Sequence, residues 1–286
     1  MRAHLLLNHS RKDALAAAGK ARDILFGKGV ELGCDPDSAS MLALEAVPAD
    51  LFANCDLVIS FGGDGTLIRA AHWCSEKGTP ILGVYYGRFG FVTQCTGEDL
   101  EDCLGRFVDG SATFEERMMI QTDLLRGGKS IATIHSLNET VVQRAVTVRM
   151  LTLGVRVDGN ELTTYPADGV IISTATGSTG YNLSAGGPIL DPRVRGLLLT
   201  ALAPHTLSAR PLVLHADSEV HVRLQSEGEA VLSADGQARL HLLSGDEVRV
   251  RKSPRLTRLM TVHPDDFLRK LPQRLFWSQS ILASNQ

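Results

Sequence analysis

The sequence predicts an α/β N-terminal domain built on a parallel sheet, followed by a mainly β C-terminal domain, with the last segment returning to the first. Three observations carry this. From Met1 to about Ala112, short apolar runs alternate with helix-length segments; after Thr113 the pattern shifts to period two between turn signals; and residues 267–281 again carry apolar residues at helical intervals. The expected domains are 1–112, with 265–286 packing back on it, and 113–264. A chain of 286 residues suits two domains better than one.

In the first half, Leu5-Leu6-Leu7 reads as a strand and the Ala/Lys/Arg-rich stretch 11–28, with a period near 3.6, as a helix. Val30-Glu31-Leu32 follows. Asp56-Leu57-Val58-Ile59-Ser60-Phe61 reads as a buried strand, Leu67 to Trp73 as a helix and Pro80 to Tyr85 as another strand. Strand, helix and strand at these lengths imply parallel pairing. In the second half, Ile131 to His135, Thr140 to Arg144 and Val220 to Leu224 alternate as strands do. Asp158-Gly159, Asp168-Gly169, Asp235-Gly236 and Ser244-Gly245-Asp246 are read as the turns between them.

Composition excludes several classes. With 44% hydrophobic and 21% charged residues the chain is neither disordered nor fibrous, and a net charge of -3 without a basic cluster argues against a nucleic-acid partner. No apolar run approaches the roughly 18–20 residues of a membrane span, and the start is too short in apolar residues for a signal peptide, so a cytoplasmic protein is expected. Five cysteines, an odd number without a C-x-x-C pair, suit reduced thiols. The histidines lack metal-ligand spacing, and His72-Trp73-Cys74 reads as helix packing. No fixed protein metal site is expected.

Gly62-Gly63-Asp64-Gly65-Thr66 stands where a buried strand meets a helix. Glycines let backbone N–H groups approach a phosphate, and the helix N-terminus adds partial positive charge. The loop is neither a Walker A nor a Rossmann motif. The competing reading is a turn in which Asp64 merely caps the helix. A carboxylate among phosphates is repulsive unless it meets Mg²⁺ or takes a proton from an attacking hydroxyl, and both uses point to phosphoryl transfer.

A second constellation runs from Asp168-Gly169 through Thr174-Ala175-Thr176-Gly177-Ser178-Thr179-Gly180-Tyr181 to Ser184-Ala185-Gly186-Gly187-Pro188. Its small hydroxyls and glycines suit sugars, phosphates and a base; alternatively, such a loop satisfies its own backbone. The third is Asn138-Glu139, whose amide can pair with an adenine edge or simply mark a turn.

In order and spacing these pieces resemble the NAD kinase family over most of the chain, with Pro204-His205-Thr206-Leu207-Ser208-Ala209-Arg210-Pro211 and Asp235-Gly236-Gln237 adding to the match. The glycine loop alone is shared with diacylglycerol-type lipid kinases. The resemblance implies phosphoryl transfer from ATP or polyphosphate, with Mg²⁺ or another divalent cation accompanying the phosphates near Asp64, to the 2′-hydroxyl of the adenosine ribose of NAD. It implies Asp64 as the base acting on that hydroxyl, beside the phosphate loop of Gly62, Gly63, Gly65 and Thr66. Asn138 and Thr179 would hold the adenine, lined by Phe91; Tyr181 would pack along the dinucleotide, with Glu139, Thr176, Gly180 and Gln237 in the same site, and Asp168 and Ser184 on the nicotinamide half. It further implies a homodimer or homotetramer whose sites borrow from a neighbour.

Three departures stand out. Tyr85-Tyr86-Gly87-Arg88-Phe89-Gly90-Phe91 lacks the usual Asn; Ala175 and Gly180 replace Pro and Ala, which should loosen their loop; and Pro166 replaces a basic residue two positions before Asp168, which bears on the choice between NAD and NADH. A diacylglycerol-type lipid kinase and a non-catalytic dinucleotide sensor are the alternatives. The long hydroxyl-rich loop argues against the first and the retained Asp64 against the second.

Overall fold

A computed structural model describes the chain apart from residues 87–89, 94, 146–149, 228, 265 and 276–286. Gly87, Arg88 and Phe89 of the aromatic-glycine motif, and the end of the C-terminal amphipathic stretch, therefore lie outside the described residues. The chain forms an N-terminal α/β unit with a mostly parallel sheet and a mainly β unit: Met1–Glu116 with the stretch from Leu256, and Arg117–Arg255.

In the first unit β1 (Arg2–Leu7) leads into α1 (Lys12–Gly27), β2 (Glu31–Cys34), the short helix α2 (Ala39–Leu42) and β3 (Glu45–Ala46). Then come β4 (Leu57–Gly62), α3 (Asp64–Cys74), β5 (Ile81–Tyr85) and α4 (Leu100–Val108). β1 pairs in parallel with both β2 and β4, and β4 with β5. The stripe Ala14, Ala17, Ala18, Ala21 and Leu25 of α1 is buried in the core with Leu5, Leu7, Ile59, Phe61 and Leu82. Its small side chains let the helix lie close to the sheet. Because β2 and β4 flank β1 on opposite sides, the chain reverses direction of travel across the sheet there. Open α/β sheets bind ligands outside the carboxyl ends of the strands at such a point. Asn8 and Gly63 follow those ends, joined by the bond from Asn8 N–H to Phe61 O at 2.9 Å.

The second unit contains β6 (Phe114–Arg126), which enters it from the first, then β7 (Lys129–Ser136), β8 (Glu139–Arg144), β9 (Leu151–Val157), β10 (Asn160–Ala167) and β11 (Gly169–Thr174). A 3-10 turn at Thr176–Thr179 and the single-turn helix α5 (Tyr181–Ser184) precede β12 (Gly196–Leu202), β13 (Leu212–His215), β14 (Val220–Leu224), β15 (Ala230–Ala234) and β16 (Ala238–Leu242). β17 (Glu247–Met260) carries the chain back to the first unit, where Leu259 pairs in parallel with Ile81 of β5, and α6 (Asp266–Arg274) follows. Among the described residues one sheet of the second unit has the order β13-β12-β11-β8-β15-β16.

Three of the four expected turns form: Asp158-Gly159 and Asp235-Gly236 have positive φ at both residues, as type I′ turns require, and Ser244-Gly245 turns between β16 and β17, with Gly245 at positive φ and Asp246 N–H bonding Leu243 O at 2.9 Å. Asp168-Gly169 does not. It is the bend between β10 and β11, and Gly169 lies inside the ladder between Gln143 and Leu202, where an added Cβ would strike the Val142 carbonyl. Nor is β8 half-buried, as its alternation suggested: Thr140, Val141 and Val142 are all buried, because both faces of the sheet are covered there, Val142 packing in one cluster with Val170 and Ile172 and Val141 in another with Ile171 and Leu202. His72-Trp73-Cys74 lies in α3, with Trp73 edge-on to Phe52 and Cys74 buried. All five cysteines are free thiols. Among the described residues no helix is long and apolar enough to cross a membrane.

Candidate active site

Gly63 is extended at the N-terminal end of α3, and Asp64 is the first helical residue. The first-turn N–H groups of a helix lack intrahelical partners and carry its positive pole. An added Cβ at Gly63 or Gly65 meets open space, whereas one at Gly62 would strike Thr66 and crowd Asn8. The loop thus exposes backbone at its centre and is packed at its base. The buried Thr66 belongs to that base, its N–H bonding Gly63 O at 3.0 Å. Arg69 of α3 donates to Leu7 O at 2.9 Å and lies over Trp73, which fixes the helix against the end of β1.

Asp64 is the first residue inside α3 rather than its N-cap, and among the described residues its carboxylate bonds no first-turn N–H, so the capping alternative does not describe it. Its carboxylate instead turns to the segment after β5. Oδ1 accepts from Val92 N–H at 3.2 Å, Thr93 N–H at 3.0 Å and Thr93 Oγ1 at 3.0 Å, while Oδ2 accepts from Phe91 N–H at 2.6 Å. A carboxylate offers about four acceptor positions, two on each oxygen. Among the described residues Oδ1 is therefore filled, and Oδ2 keeps one position. The Asp64 carboxylate is partly exposed and rigidly aimed, but with one acceptor position left it is a poor ligand for a resident cation. These residues do not fit a protein-held Mg²⁺.

His9, Asp35 and Asp37 converge near the ends of β1 and β2, with ligand atoms within 4.8 Å of one another. Sequence spacing could not show this grouping. Asp35 is buried and accepts from Leu7 N–H and Ser38 Oγ through Oδ1, and pairs with His9 through Oδ2, while Asp37 is exposed beside them.

In the second unit the Asp235 carboxylate receives the N–H groups of Leu137, Asn138 and Glu139 at 2.7, 2.8 and 3.0 Å. This pins the Asn138-Glu139 pair at the start of β8. Among the described residues Asn138 Oδ1 and Glu139 Oε2 are buried without a hydrogen-bond partner. Buried acceptors are costly when unmet, so two side by side mark a place where a ligand supplies donors. Burial, and then the Asp235 charge, push the Glu139 carboxyl up to about 7. Gly180 adds room: a Cβ there would lie 3.0 Å from Glu139 Oε2.

The hydroxyl-rich loop divides its labour. Ser178, Thr174 and Ser173 bond the backbone of Leu190, Leu137 and Asn138, and Asn182 is wholly buried between Ser178, Pro188 and Thr200. This half is self-satisfied, as the alternative reading had it. Thr176 is buried, and Thr179 Oγ1 donates to Thr176 O at 3.3 Å. Tyr181 and Ser184 are exposed, and Gln237 sits at the exposed tip of the β15–β16 turn. Asp168 pairs with Arg144 of β8 at 2.9 Å, a partner that sequence reasoning missed because it comes from the neighbouring strand. Phe91 stands in the first unit, with Arg274 over its ring.

The description ATP-NAD kinase N-terminal domain matches residues 27–112, and ATP-NAD kinase C-terminal domain matches residues 137–262. The NAD kinase of Geotalea daltonii is 41% identical over 258 residues, covering 89% of this chain and 91% of that protein. The chain belongs to the NAD kinase family. The NAD kinase of Chloroflexus aurantiacus is 40% identical over 226 residues, 79% of this chain and 82% of that one. Two solved structures are similar as well. Yeast NADH kinase complexed with NADH has a TM-score of 0.90 at 25% identity, covering 96% of this chain and 87% of that one. An NAD kinase from Archaeoglobus fulgidus in complex with ATP has a TM-score of 0.78 at 26% identity, covering 96% and 98%. These family members are kinases, and the two-unit α/β plus β architecture is theirs.

Proposed function

We propose that this chain is an NAD kinase that moves the γ-phosphoryl group of ATP to the 2′-hydroxyl of the adenosine ribose of NAD, releasing NADP and ADP. The observation that carries the reading is the Asp64 carboxylate, filled at Oδ1, held by Phe91 at Oδ2 and left with one acceptor position. That position takes the ribose proton as the new O–P bond forms and the bond to ADP breaks, leaving Asp64 protonated until solvent removes the proton. A general base placed this way typically contributes about 10²–10⁴-fold. The open backbone at Gly63 and Gly65, at the positive end of α3, supports a role in holding phosphates. Mg²⁺ enters as the complex of the donor, neutralising charge on the phosphates.

The orphaned acceptors support the dinucleotide assignment. Asn138 Oδ1 accepts the adenine amino group, with Thr179 beside it, and Glu139 Oε2 accepts a hydroxyl of the ligand. Exposed Tyr181 and Ser184 lie along the dinucleotide, and Asp168 serves the nicotinamide half. ATP is favoured over polyphosphate as the donor because the matching family description and the Archaeoglobus complex both name ATP. Incubating the purified chain with NAD, Mg²⁺ and ATP, coupled to an NADP-specific dehydrogenase, should give steady NADP formation, with polyphosphate in place of ATP as the donor control. Absence of signal while added NADP is still detected would exclude the reading.

Two further expectations follow. A homodimer or homotetramer whose β-rich half completes a neighbour's site should lose activity on dilution to monomer; a fully active monomer in analytical ultracentrifugation at assay concentration contradicts that. The second concerns Arg144. Pro166 removes one positive charge, yet Arg144 already sets a guanidinium against Asp168. Arg144→Gln leaves the Asp168 carboxylate unneutralised, which favours the cationic ring of NAD over the neutral ring of NADH. For a half-exposed pair worth about 1 kcal/mol, the kcat/KM ratio of NAD to NADH should rise roughly fivefold. An unchanged ratio removes this pair from specificity.

A further inference from the structure

We propose that Arg274, the last residue of α6, is a positioning residue for the Asp64 carboxylate, acting through the peptide group that joins Phe91 to Val92. The inference rests on the reading of Asp64 as the group that meets the ribose hydroxyl. Arg274 Nη1 donates to Phe91 O at 3.1 Å, and its guanidinium carbon lies 5.0 Å from the centre of the Phe91 ring. The carbonyl it holds belongs to the same peptide whose N–H, on Val92, donates to Asp64 Oδ1 at 3.2 Å. A cation on the oxygen side and an anion on the hydrogen side polarise one peptide group in the same sense, and each strengthens the other's bond.

Arg274 thus grips both backbone and ring of the residue whose own N–H makes the shortest bond to Asp64, 2.6 Å at Oδ2. Loop and carboxylate are also interlocked by shape. A Cβ at Gly90 would run into Asp64 Oδ1 and Thr93 Oγ1, so the carboxylate and the Thr93 hydroxyl fill the space over Gly90. The open position on Oδ2 is aimed only while Phe91 stays in place. Release of Arg274 leaves Asp64 present and charged but free to swing. That costs the chemical step rather than substrate binding, because near-attack geometry is sensitive to displacements of about 1 Å.

The alternative is that Arg274 only fastens the C-terminal stretch to the first unit. Arg274→Met, which keeps an apolar stem, and Arg274→Lys, which keeps charge and a donor, separate the two. In the substrate-free protein, hydrogen exchange at the amides of Phe91, Val92 and Thr93 should be about tenfold faster in Arg274→Met and near wild type in Arg274→Lys. In turnover, kcat should fall about tenfold or more in Arg274→Met with KM for ATP and NAD changed less than about twofold, and Arg274→Lys should recover most of it. Unchanged exchange at these three amides in Arg274→Met overturns the proposal, as does a loss of kcat that Arg274→Lys does not restore. Should Arg274→Met fail to fold, Arg274→Lys against Arg274→Gln decides on the same readouts. A wild-type chain that made no NADP would sink the kinase reading, while the exchange measurement would still decide whether Arg274 holds the loop.

Discussion

Asp64→Asn should lower kcat by about two orders of magnitude or more, because the amide cannot take the ribose proton. The geometry adds a second effect. An Asn at 64 can keep its oxygen toward Val92 and Thr93, but it then presents an NH₂ group to the Phe91 N–H that now donates at 2.6 Å. Two donors facing one another cost about 1–3 kcal/mol, so the variant is also less stable, by a few degrees in Tm for a protein of this size. Purely structural damage would lower kcat and raise KM together in proportion to the unfolded fraction. Chemical loss appears at a temperature where the variant is fully folded and binds NAD by calorimetry. A folded Asp64→Asn enzyme with near-normal kcat would remove the carboxylate from the mechanism.

Glu139→Gln should stabilise the ligand-free protein at high pH while weakening NAD binding. The Glu139 carboxyl is 8% exposed and raised from the ordinary 4.5 to about 7, first by burial and then by Asp235. A carboxyl whose folded-state value lies above its unfolded value holds its proton in the native state after the unfolded chain has released it. Its effect on stability is absent below about pH 4.5, grows unfavourable as pH rises, and is complete above about pH 7. The full cost is about 3 kcal/mol. Gln has the same shape and no charge, so the Tm of the variant should exceed wild type by about 5 °C at pH 8 and match it near pH 4.5. The same change turns a charged acceptor into a neutral one at an orphaned position, and NAD affinity should fall about tenfold. Equal Tm values at pH 8 would mean that the carboxylate is solvated in the native state.

The sequence carries the architecture and the identity of the loop, and carries less of what holds the loop in place. Leu57–Gly62 and Ile81–Tyr85 are legible because short, mainly apolar runs of five or six residues, broken only by the buried Ser60, suit strands buried on both faces. β17 escapes a reading from propensity: Pro254 and a series of Arg and Lys interrupt the run, and only its alternating burial, set by pairing with β14, makes it a strand. Asp64 is readable as a candidate carboxylate from its place among glycines. Its partners are not, because Phe91, Val92 and Thr93 lie 27 to 29 residues away and Arg274 reaches Phe91 across 183. Asn138 and Glu139 are similar: the pair is visible in the sequence, whereas the Asp235 carboxylate that gathers their N–H groups comes from a turn about 97 residues later. A local pattern shows which groups can do chemistry; long-range hydrogen bonds decide which way they face.

Under the proposed function the new phosphate is placed on the adenosine 2′-hydroxyl of NAD. Phosphorus NMR of the product from a complete turnover of NAD with the magnesium complex of ATP reads this directly. The expected result is one new phosphomonoester resonance coincident with authentic NADP, appearing in step with ADP and about a hundredfold or more slower with Asp64→Asn. Accumulation of ADP and free phosphate with NAD unchanged, or a phosphomonoester at another position of the dinucleotide, would contradict it.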